Sequence, residues 1–183
     1  MKIIADISLN FQSLDDIICI IQKVNCHYVK LQYYSEFDLY GDGSKETKLN
    51  IAWMPRIAEC CRDHKKKLLC TVFNPESVWQ VDRFVAMHKI ASSEITDRDL
   101  LDKINKTGKS AILSTGGASD EQIVRAKSVL CPSISSLLAC NVEYPAKRHN
   151  IRNMLRLKNM FPELKIGYSD HSLDICSMPI LCT

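Results

Sequence analysis

Residues 111–122, AILSTGGASDEQ, hold in order a short apolar run, a polar end, a glycine turn and a helix start. The apolar run at 111–115 fits a buried strand, with Ser114 and Thr115 at its carboxyl end. Ser119 is followed three residues later by Gln122, which is the spacing of a helix capping box. The segment therefore predicts one strand followed at once by one helix.

The same strand-then-helix order repeats along the whole chain. The predicted strands are 3–8, 28–33, 67–73, 88–93, 111–115, 136–142 and 165–168. The predicted helices are 14–24, 51–65, 75–84, 97–105, 119–129, 151–160 and one that starts near residue 173. Such alternation is typical of parallel strands joined by crossover helices, so the predicted class is α/β. No linker or change in composition indicates a second domain, and residues 1–183 are predicted to form one domain.

Each predicted strand ends in polar side chains that can bind a ligand. These are Asp6, Ser8, Asn10, Lys30, Gln32, Thr71, Asn74, Ser92, Glu94, Ser114, Thr115, Asn141, Tyr144, Ser169, Asp170 and His171. A ring of polar strand ends is typical of the carboxyl face of a TIM-type (βα)8 barrel, whereas an open sheet concentrates them at one switch point. The barrel is therefore favoured. It is expected to be incomplete, with about seven βα units, because only seven strands are found.

Two lysines on these strands carry the first indication of a ligand. Lys30 and Gln32 share one face of the second strand, and a lysine that faces inward needs an anionic partner. That partner is either an internal carboxylate or an anionic ligand, and the other strand ends favour the ligand. By the alternation of side chains, Lys89 lies on the opposite face from Ser92 and Glu94, so a twist or bulge is needed to bring the three together.

The bulk composition excludes several classes of protein. A hydrophobic fraction of 46%, a charged fraction of 25% and a net charge of +3 are ordinary for a soluble globular domain. No apolar run reaches the roughly 18 residues of a membrane helix, and the first residues do not form a signal peptide. The densest basic run, Lys65–Lys67, is expected to be the solvated end of a helix. We therefore expect a cytoplasmic protein that binds neither nucleic acid nor membrane.

At the strand ends the sequence resembles, in chain order, the motifs of the N-acetylneuraminate (sialic acid) synthase family. The matching segments are IADISLN at 4–10, VKLQ at 29–32, KIASSEIT at 89–96, TGK at 107–109, ILSTG at 112–116, EYP at 143–145 and GYSDH at 167–171. The resemblance implies a transferase that condenses phosphoenolpyruvate with an open-chain N-acetylated hexose. The products are a nine-carbon 2-keto sugar acid and phosphate. In the family a divalent metal, usually manganese, polarises the sugar aldehyde, and water attacks C2 of the enolpyruvate before phosphate leaves.

The resemblance also implies a role for individual residues. The residues expected to hold the phosphate and carboxylate are Lys30, Gln32, Thr71, Lys89, Ser92, Ser114 and Ser169. Tyr144 and Asp170 are expected near the sugar, and His171 matches one of two histidine metal ligands. Glu94 matches the acidic residue near the reacting enol, a candidate acid or base, and Asp6 is the acid of the first motif.

Simpler interpretations stay open for three of these motifs. Glu94 could belong to an ordinary helix start, residues 114–117 to an ordinary strand-to-helix turn, and His171 to a plain surface position. For the whole chain, the alternatives are a degenerate or fragmentary barrel that binds a phosphorylated ligand without turnover, and a separate aldolase-like barrel.

The sequence departs from the family pattern at several places. Asp6 stands for the usual glutamate, residues 10–13 read NFQS in place of N-H-x-G, Ala139 replaces a histidine and Ser93 a glycine. The second metal histidine, the eighth strand and the antifreeze-like C-terminal domain are not found, so we expect a truncated barrel with weak metal binding. Phosphoenolpyruvate binding is expected to survive better than catalysis. A homo-oligomer or a partner is expected to cover the open barrel edge.

Overall fold

The computed structural model describes residues 1–8, 11–44, 46–47 and 49–173. Its seven strands are β1 Ile4–Ser8, β2 Tyr28–Tyr33, β3 Lys67–Val72, β4 Met87–Ile90, β5 Ala111–Ser114, β6 Ile134–Cys140 and β7 Lys165–Ser169. Its helices are α1 Leu14–Lys23, α2 Glu36–Tyr40, α3 Met54–Asp63, α4 Pro75–Asp82, α5 Arg98–Lys106, α6 Asp120–Leu130 and α7 Arg152–Met160. Short 3-10 turns cover Ile51–Trp53 and Ser93–Thr96. The predicted residue Asn10 and the last predicted helix, beyond residue 173, lie outside the described residues.

The seven strands form one parallel sheet in chain order, from β1 to β7. Neighbouring strands are about 4.8 Å apart, so β1 and β7 of a flat sheet would lie roughly 29 Å from each other. Yet Ser8 at the end of β1 and Ser169 at the end of β7 line the same cavity. The sheet is therefore curled into an incomplete TIM-type barrel, and the predicted fold is confirmed.

Side chains alternate along β2 as the sequence predicts. Val29 and Leu31 are fully buried under the surrounding helices, while Lys30 and Gln32 are half-buried on the opposite face. Ile17 and Ile21 of α1 are also fully buried in the same hydrophobic core. Burial of apolar groups between strands and helices, worth about 25 cal/mol per Å², thus leaves the polar face of β2 toward the barrel interior.

The helix starts carry the capping signals that the sequence predicts, and one further helix start has a capping box that was not predicted. Ser119 and Gln122 form a capping box at the start of α6, and Asn74 caps α4, whose first residue is Pro75. The helix α2 was not predicted. Its start also has a capping box, formed by Ser35 with the residue three positions later, Asp38.

No helix in the described part of the chain has the length and apolar character needed to cross a membrane.

A buried polar cluster connects the end of α4 to β4 and β5. His88 is fully buried, and its Nε2 lies 2.9 Å from Oδ1 of Asp82, while its Nδ1 has no partner among the described residues. Lys109 Nζ lies 3.3 Å from the same carboxylate oxygen and donates to the Val85 carbonyl at 3.0 Å. Burial lowers the pKa of His88, with the Asp82 carboxylate opposing that shift and the Lys109 ammonium adding to it.

The free energy of unfolding is expected to fall as the pH is lowered from about 6.5, the ordinary pKa of histidine. Below that pH the unfolded chain binds a proton at His88 that the folded protein resists, so acid favours unfolding. Chemical denaturation at several pH values measures this. His88→Gln keeps a donor for Asp82 and does not titrate, so its curve is expected to be flatter between pH 6.5 and 5. Equal pH dependence in the two proteins would contradict the assignment to His88.

Candidate functional site

A cavity of about 510 Å³ opens at the carboxyl ends of the strands. Nine of the predicted site residues line it, namely Lys30, Gln32, Thr71, Lys89, Ser92, Ser114, Tyr144, Ser169 and His171. They come from β2 through β7 and the loops that follow, so the curl of the sheet brings together groups that are far apart in sequence. A polar cavity at this face is where TIM-type barrels hold their ligands.

Three predicted site residues lie beside the cavity and not in its wall. Asp6 forms an ion pair with Lys30, at 2.7 Å between Oδ2 and Nζ. Glu94 is half-buried in the 3-10 turn after β4, and burial raises its pKa. Asp170 accepts a hydrogen bond from the Ser172 amide at 2.9 Å and lies 3.7 Å from Nδ1 of His149. The roles expected of Asp6, Glu94 and Asp170 stay predictions.

Lys30 has an internal carboxylate partner and also faces the cavity where an anionic ligand could bind. Asp6 and Lys30 are register partners on β1 and β2, which makes the internal ion pair a cross-strand contact. The pairing register of β1 shifts between Asp6 and Ser8, and Ser8 has a φ of 51° with its amide donating to Asp6 Oδ1 at 3.0 Å. This irregularity holds the Asp6 carboxylate against the ammonium. Lys30 also lines the cavity, so the ion pair leaves it available to a ligand.

Lys89 and Ser92 both lie in the cavity wall because β4 ends early. The strand stops at Ile90 and the 3-10 turn begins at Ser93, so the strict alternation assumed for 88–93 is lost after Ile90. Lys89 Nζ donates to Ser114 Oγ at 2.6 Å and to the Ile90 carbonyl at 2.8 Å. Burial, followed by the nearby Lys30 ammonium, lowers the pKa of Lys89 to about 7. The change from strand to turn is the irregularity that was needed to bring Lys89 and Ser92 to the same cavity.

Ser92 joins the ends of three strands. Its Oγ accepts a hydrogen bond from the Gly116 amide at 3.0 Å and lies 3.1 Å from Cys140 Sγ. A Cβ atom placed on Gly116 would lie 2.6 Å from Cys140 Sγ and 3.1 Å from Ser92 Oγ. At Gly116 the backbone of the loop after β5 thus approaches the loops after β4 and β6 closely. An ordinary strand-to-helix turn does not require such a contact.

One hydroxyl of the cavity has no partner. Thr71 is 2% exposed, and its Oγ1 makes no hydrogen bond among the described residues. Thr71 and Lys89 are register partners on β3 and β4, and both line the cavity. A buried polar atom without a partner costs about 1–3 kcal/mol, so this hydroxyl is a position where a ligand atom would be stabilising.

The His171 ring is held in one orientation by its neighbours. Its Nδ1 lies 2.6 Å from the Asn141 carbonyl, which can only accept, so Nδ1 carries the hydrogen. Its Nε2 lies 2.8 Å from the Tyr144 hydroxyl, and the two rings are stacked with centroids 4.0 Å apart. Burial lowers the pKa of His171, which favours the neutral ring. A neutral imidazole fixed through Nδ1 has the form of a metal ligand.

The described residues do not form a complete metal site. Within the described ranges, no three His, Cys, Asp or Glu side chains are grouped so that they could hold a metal ion. His171 is therefore a single candidate ligand, and one ligand binds a divalent metal weakly.

The lining of the cavity also contains apolar and aromatic residues that were not predicted. They are Tyr34, Leu39, Tyr40, Phe73 and Val142. Leu39 and Tyr40 belong to α2, which is fixed because Asn74 Nδ2 donates to Asp38 Oδ1 at 2.7 Å. The spacing of Ser35 and Asp38 was the one sequence signal for this helix.

In the described part of the chain, seven parallel strands alternate with helices around a lysine-containing cavity at the carboxyl face, which defines an incomplete barrel of the TIM type. The chain belongs to the NeuB family, which residues 9–181 match. The family predicted from the strand-end motifs is thereby confirmed.

Similar proteins agree with this assignment. The chain is 40% identical to the N,N'-diacetyllegionaminic acid synthase of Campylobacter jejuni over 124 residues, which cover 61% of this chain and 37% of that one. It is 33% identical to the pseudaminic acid synthase of Helicobacter pylori over 141 residues, which cover 73% and 40%. The crystal structure of N-acetylneuraminic acid (sialic acid) synthetase from Leptospira borgpetersenii, in complex with citrate, has a TM-score of 0.88 at 26% identity, covering 97% and 67%. The chain matches about two fifths of the length of these two curated relatives.

Proposed function

We propose that this chain binds phosphoenolpyruvate in a synthase that condenses it with an N-acetylated hexose to a sialic-acid-type sugar acid. The observation that carries the proposal is the grouping of two lysines and an unpartnered buried hydroxyl in one cavity. Lys30, Lys89 and Thr71 all line that cavity, and Lys89 has no carboxylate within 4.0 Å among the described residues. Such a site suits an anionic ligand, and family membership supports phosphoenolpyruvate as that ligand.

The electrostatics of the cavity fit a phosphate and a carboxylate on one small molecule. Lys30 forms an ion pair with Asp6, and an anion near Lys89 would favour the protonated form of that amine. Hydroxyl and amide donors line the same cavity as the two amines, namely Gln32, Thr71, Ser114 and Ser169. Charge-assisted hydrogen bonds of this type are roughly twice as strong as neutral ones. They would also stabilise the charge that develops on the departing phosphate.

The proposed reaction forms one carbon–carbon bond and releases phosphate. C3 of the enolpyruvate attacks the aldehyde carbon of the open-chain sugar, water adds at C2, and phosphate leaves with its bridging oxygen. Glu94 follows cavity-lining Ser92 and Ser93 in the turn after β4, and its raised pKa suits a carboxyl group that transfers a proton. Tyr40 and Tyr144, two exposed residues of the cavity lining, would contact the sugar.

The other expectations remain part of the proposal. His171 would be one ligand of the divalent metal, with manganese expected. A cytoplasmic location stays a prediction. So does a homo-oligomer or another partner along β1 and β7, which are the edges of the described sheet.

Phosphate release from phosphoenolpyruvate tests the proposal, with manganese present and with or without N-acetylmannosamine and related N-acetylated hexoses. Sugar-dependent release is expected, and Glu94→Gln, which keeps the shape of the side chain, is expected to lower it by about 10²–10⁴-fold. Calorimetry on the same protein measures phosphoenolpyruvate binding. Binding without release for any sugar would replace the synthase by a binding-only barrel. A folded protein that does not bind phosphoenolpyruvate would overturn the proposal.

A further inference from the structure

The hydrogen bonds of Lys89 match a neutral amine better than an ammonium ion. A neutral amine has two N–H donors and one lone pair, whereas an ammonium has three donors. Lys89 is 4% exposed, and its Nζ donates to two neutral acceptors, Ser114 Oγ at 2.6 Å and the Ile90 carbonyl at 2.8 Å. No third acceptor and no carboxylate contact Nζ in the part of the chain that the structure describes. The neutral form is therefore fully satisfied and keeps its lone pair.

The surroundings of Lys89 favour the same form. Burial and the Lys30 ammonium lower the pKa of Lys89 to about 7, with the Cys140 and Asp6 groups acting in the opposite direction. Lys30 itself keeps Asp6 as its partner at 2.7 Å. A desolvated lysine beside a second cation is the arrangement that makes an amine nucleophilic in proteins.

The cavity also holds donors suited to a carboxylate next to that amine. Thr71, the register partner of Lys89 on β3, is buried with an unpartnered Oγ1, and Gln32 and Lys30 line the same wall. A 2-oxo acid carries a carboxylate directly beside a carbonyl carbon. With its carboxylate on the β2–β3 side, its carbonyl carbon would be next to the amine on β4.

We propose that Lys89 forms a reversible imine with a small 2-oxo acid bound in this cavity. The Nζ lone pair attacks the C2 carbonyl, the carbonyl oxygen takes a proton, and the resulting carbinolamine loses water to leave a carbon–nitrogen double bond. The amine and the oxo acid thus give an imine and one water, with no change in oxidation state. Ser114 Oγ, at 2.6 Å from Nζ, is placed to pass the proton from the nitrogen to the departing hydroxyl.

This imine goes beyond the proposed synthase reaction, although it uses the same cavity. The product proposed for the synthase is itself a 2-oxo acid. Compounds of that class could therefore bind to the site covalently through the imine. Phosphoenolpyruvate has no free carbonyl and would compete with it. Imine formation would therefore be a separate activity toward 2-oxo acids that condensation does not need.

Reductive trapping tests the imine. The purified chain is incubated with pyruvate and cyanoborohydride at pH 7, and peptide mapping locates the 1-carboxyethyl group that results. Lys89 is expected to carry at least roughly tenfold more label than an exposed lysine such as Lys67, because far more of its amine is neutral at that pH. Phosphoenolpyruvate is expected to suppress this label, and Ser114→Ala to slow its formation. Lys89→Arg, whose guanidinium stays protonated and does not form an imine, is expected to remove it.

Label on Lys89 no greater than on exposed lysines, or label on Lys30 in its place, would overturn the inference. The peptide map of the labelled wild-type protein alone distinguishes these outcomes, whether or not the variants fold. Calorimetry with phosphoenolpyruvate separates the two proposals. Binding without trapping would leave the synthase standing and remove the imine, and trapping without binding would do the reverse.

Discussion

Replacing Lys89 with methionine is expected to weaken phosphoenolpyruvate binding by about 2–5 kcal/mol, roughly 30- to 4,000-fold. The substitution keeps an unbranched side chain that extends as far as Cε, and it removes the buried amine that would become charged against the ligand. The fold should persist, because the change leaves only Ser114 Oγ and the Ile90 carbonyl short of a donor, at a cost of about 1–3 kcal/mol. Calorimetric titration measures the affinity, and denaturation measures the stability.

The affinity of the wild-type protein is also expected to fall as the pH rises above about 7. In the free protein Lys89 has a pKa of about 7, while a bound anion would raise it, so binding takes up a proton when the free amine is neutral. The loss approaches about tenfold per pH unit. Lys89→Arg stays charged at every pH and serves as the control, with a flat profile expected. A wild-type affinity that does not change between pH 7 and 9 would contradict the role given to Lys89.

The fold and most of the cavity could be predicted from the sequence because they depend on local patterns. Lys30 and Gln32 alternate with fully buried Val29 and Leu31, and a period of two is enough to place them on one face. Polar groups at the ends of parallel strands meet at one edge of the sheet. For that reason the sequence alone predicts that Thr71 and Ser114 belong to the site.

Other features depend on backbone geometry that a pattern does not carry. The parity of 88–93 places Lys89 and Ser92 on opposite faces, whereas both line the cavity, since the sequence alone does not indicate that β4 ends at Ile90. Glu94 was expected in the site, but the turn places it beside the cavity wall. The helix α2 is five residues long, too short for a periodic signal, and its cap was the only indication.

Contacts between loops are the hardest to predict, and the junction at Gly116 is the main example. Ser92, Gly116 and Cys140 come from three strand ends and meet through one hydrogen bond and one close sulfur contact. The sequence identifies Gly116 as part of a motif. Only the assembled barrel gives the reason, which is that a Cβ there would overlap a buried thiol.

Gly116→Ala is expected to lower the free energy of unfolding by about 1–3 kcal/mol, the usual cost of overpacking a buried site. The new methyl carbon would lie 2.6 Å from Cys140 Sγ, 3.0 Å from Val142 Cγ1 and 3.1 Å from Ser92 Oγ. Relief requires the loop after β5 to move outward, which lengthens the hydrogen bond from the Gly116 amide to Ser92 Oγ. Because Ser92 and Val142 line the cavity, ligand affinity should fall together with stability.

The double variant Gly116→Ala with Cys140→Ala separates overlap from other effects of the methyl group. Removing the sulfur makes room for the new carbon, so the two changes are expected to be non-additive, with a coupling of about 0.5–3 kcal/mol in the favourable direction. Urea unfolding of the wild type, both single variants and the double variant gives this coupling. Strict additivity would mean that the thiol is not what requires glycine at position 116. Recovery of both stability and phosphoenolpyruvate affinity in the double variant would show that the packing of this junction sets the shape of the cavity wall.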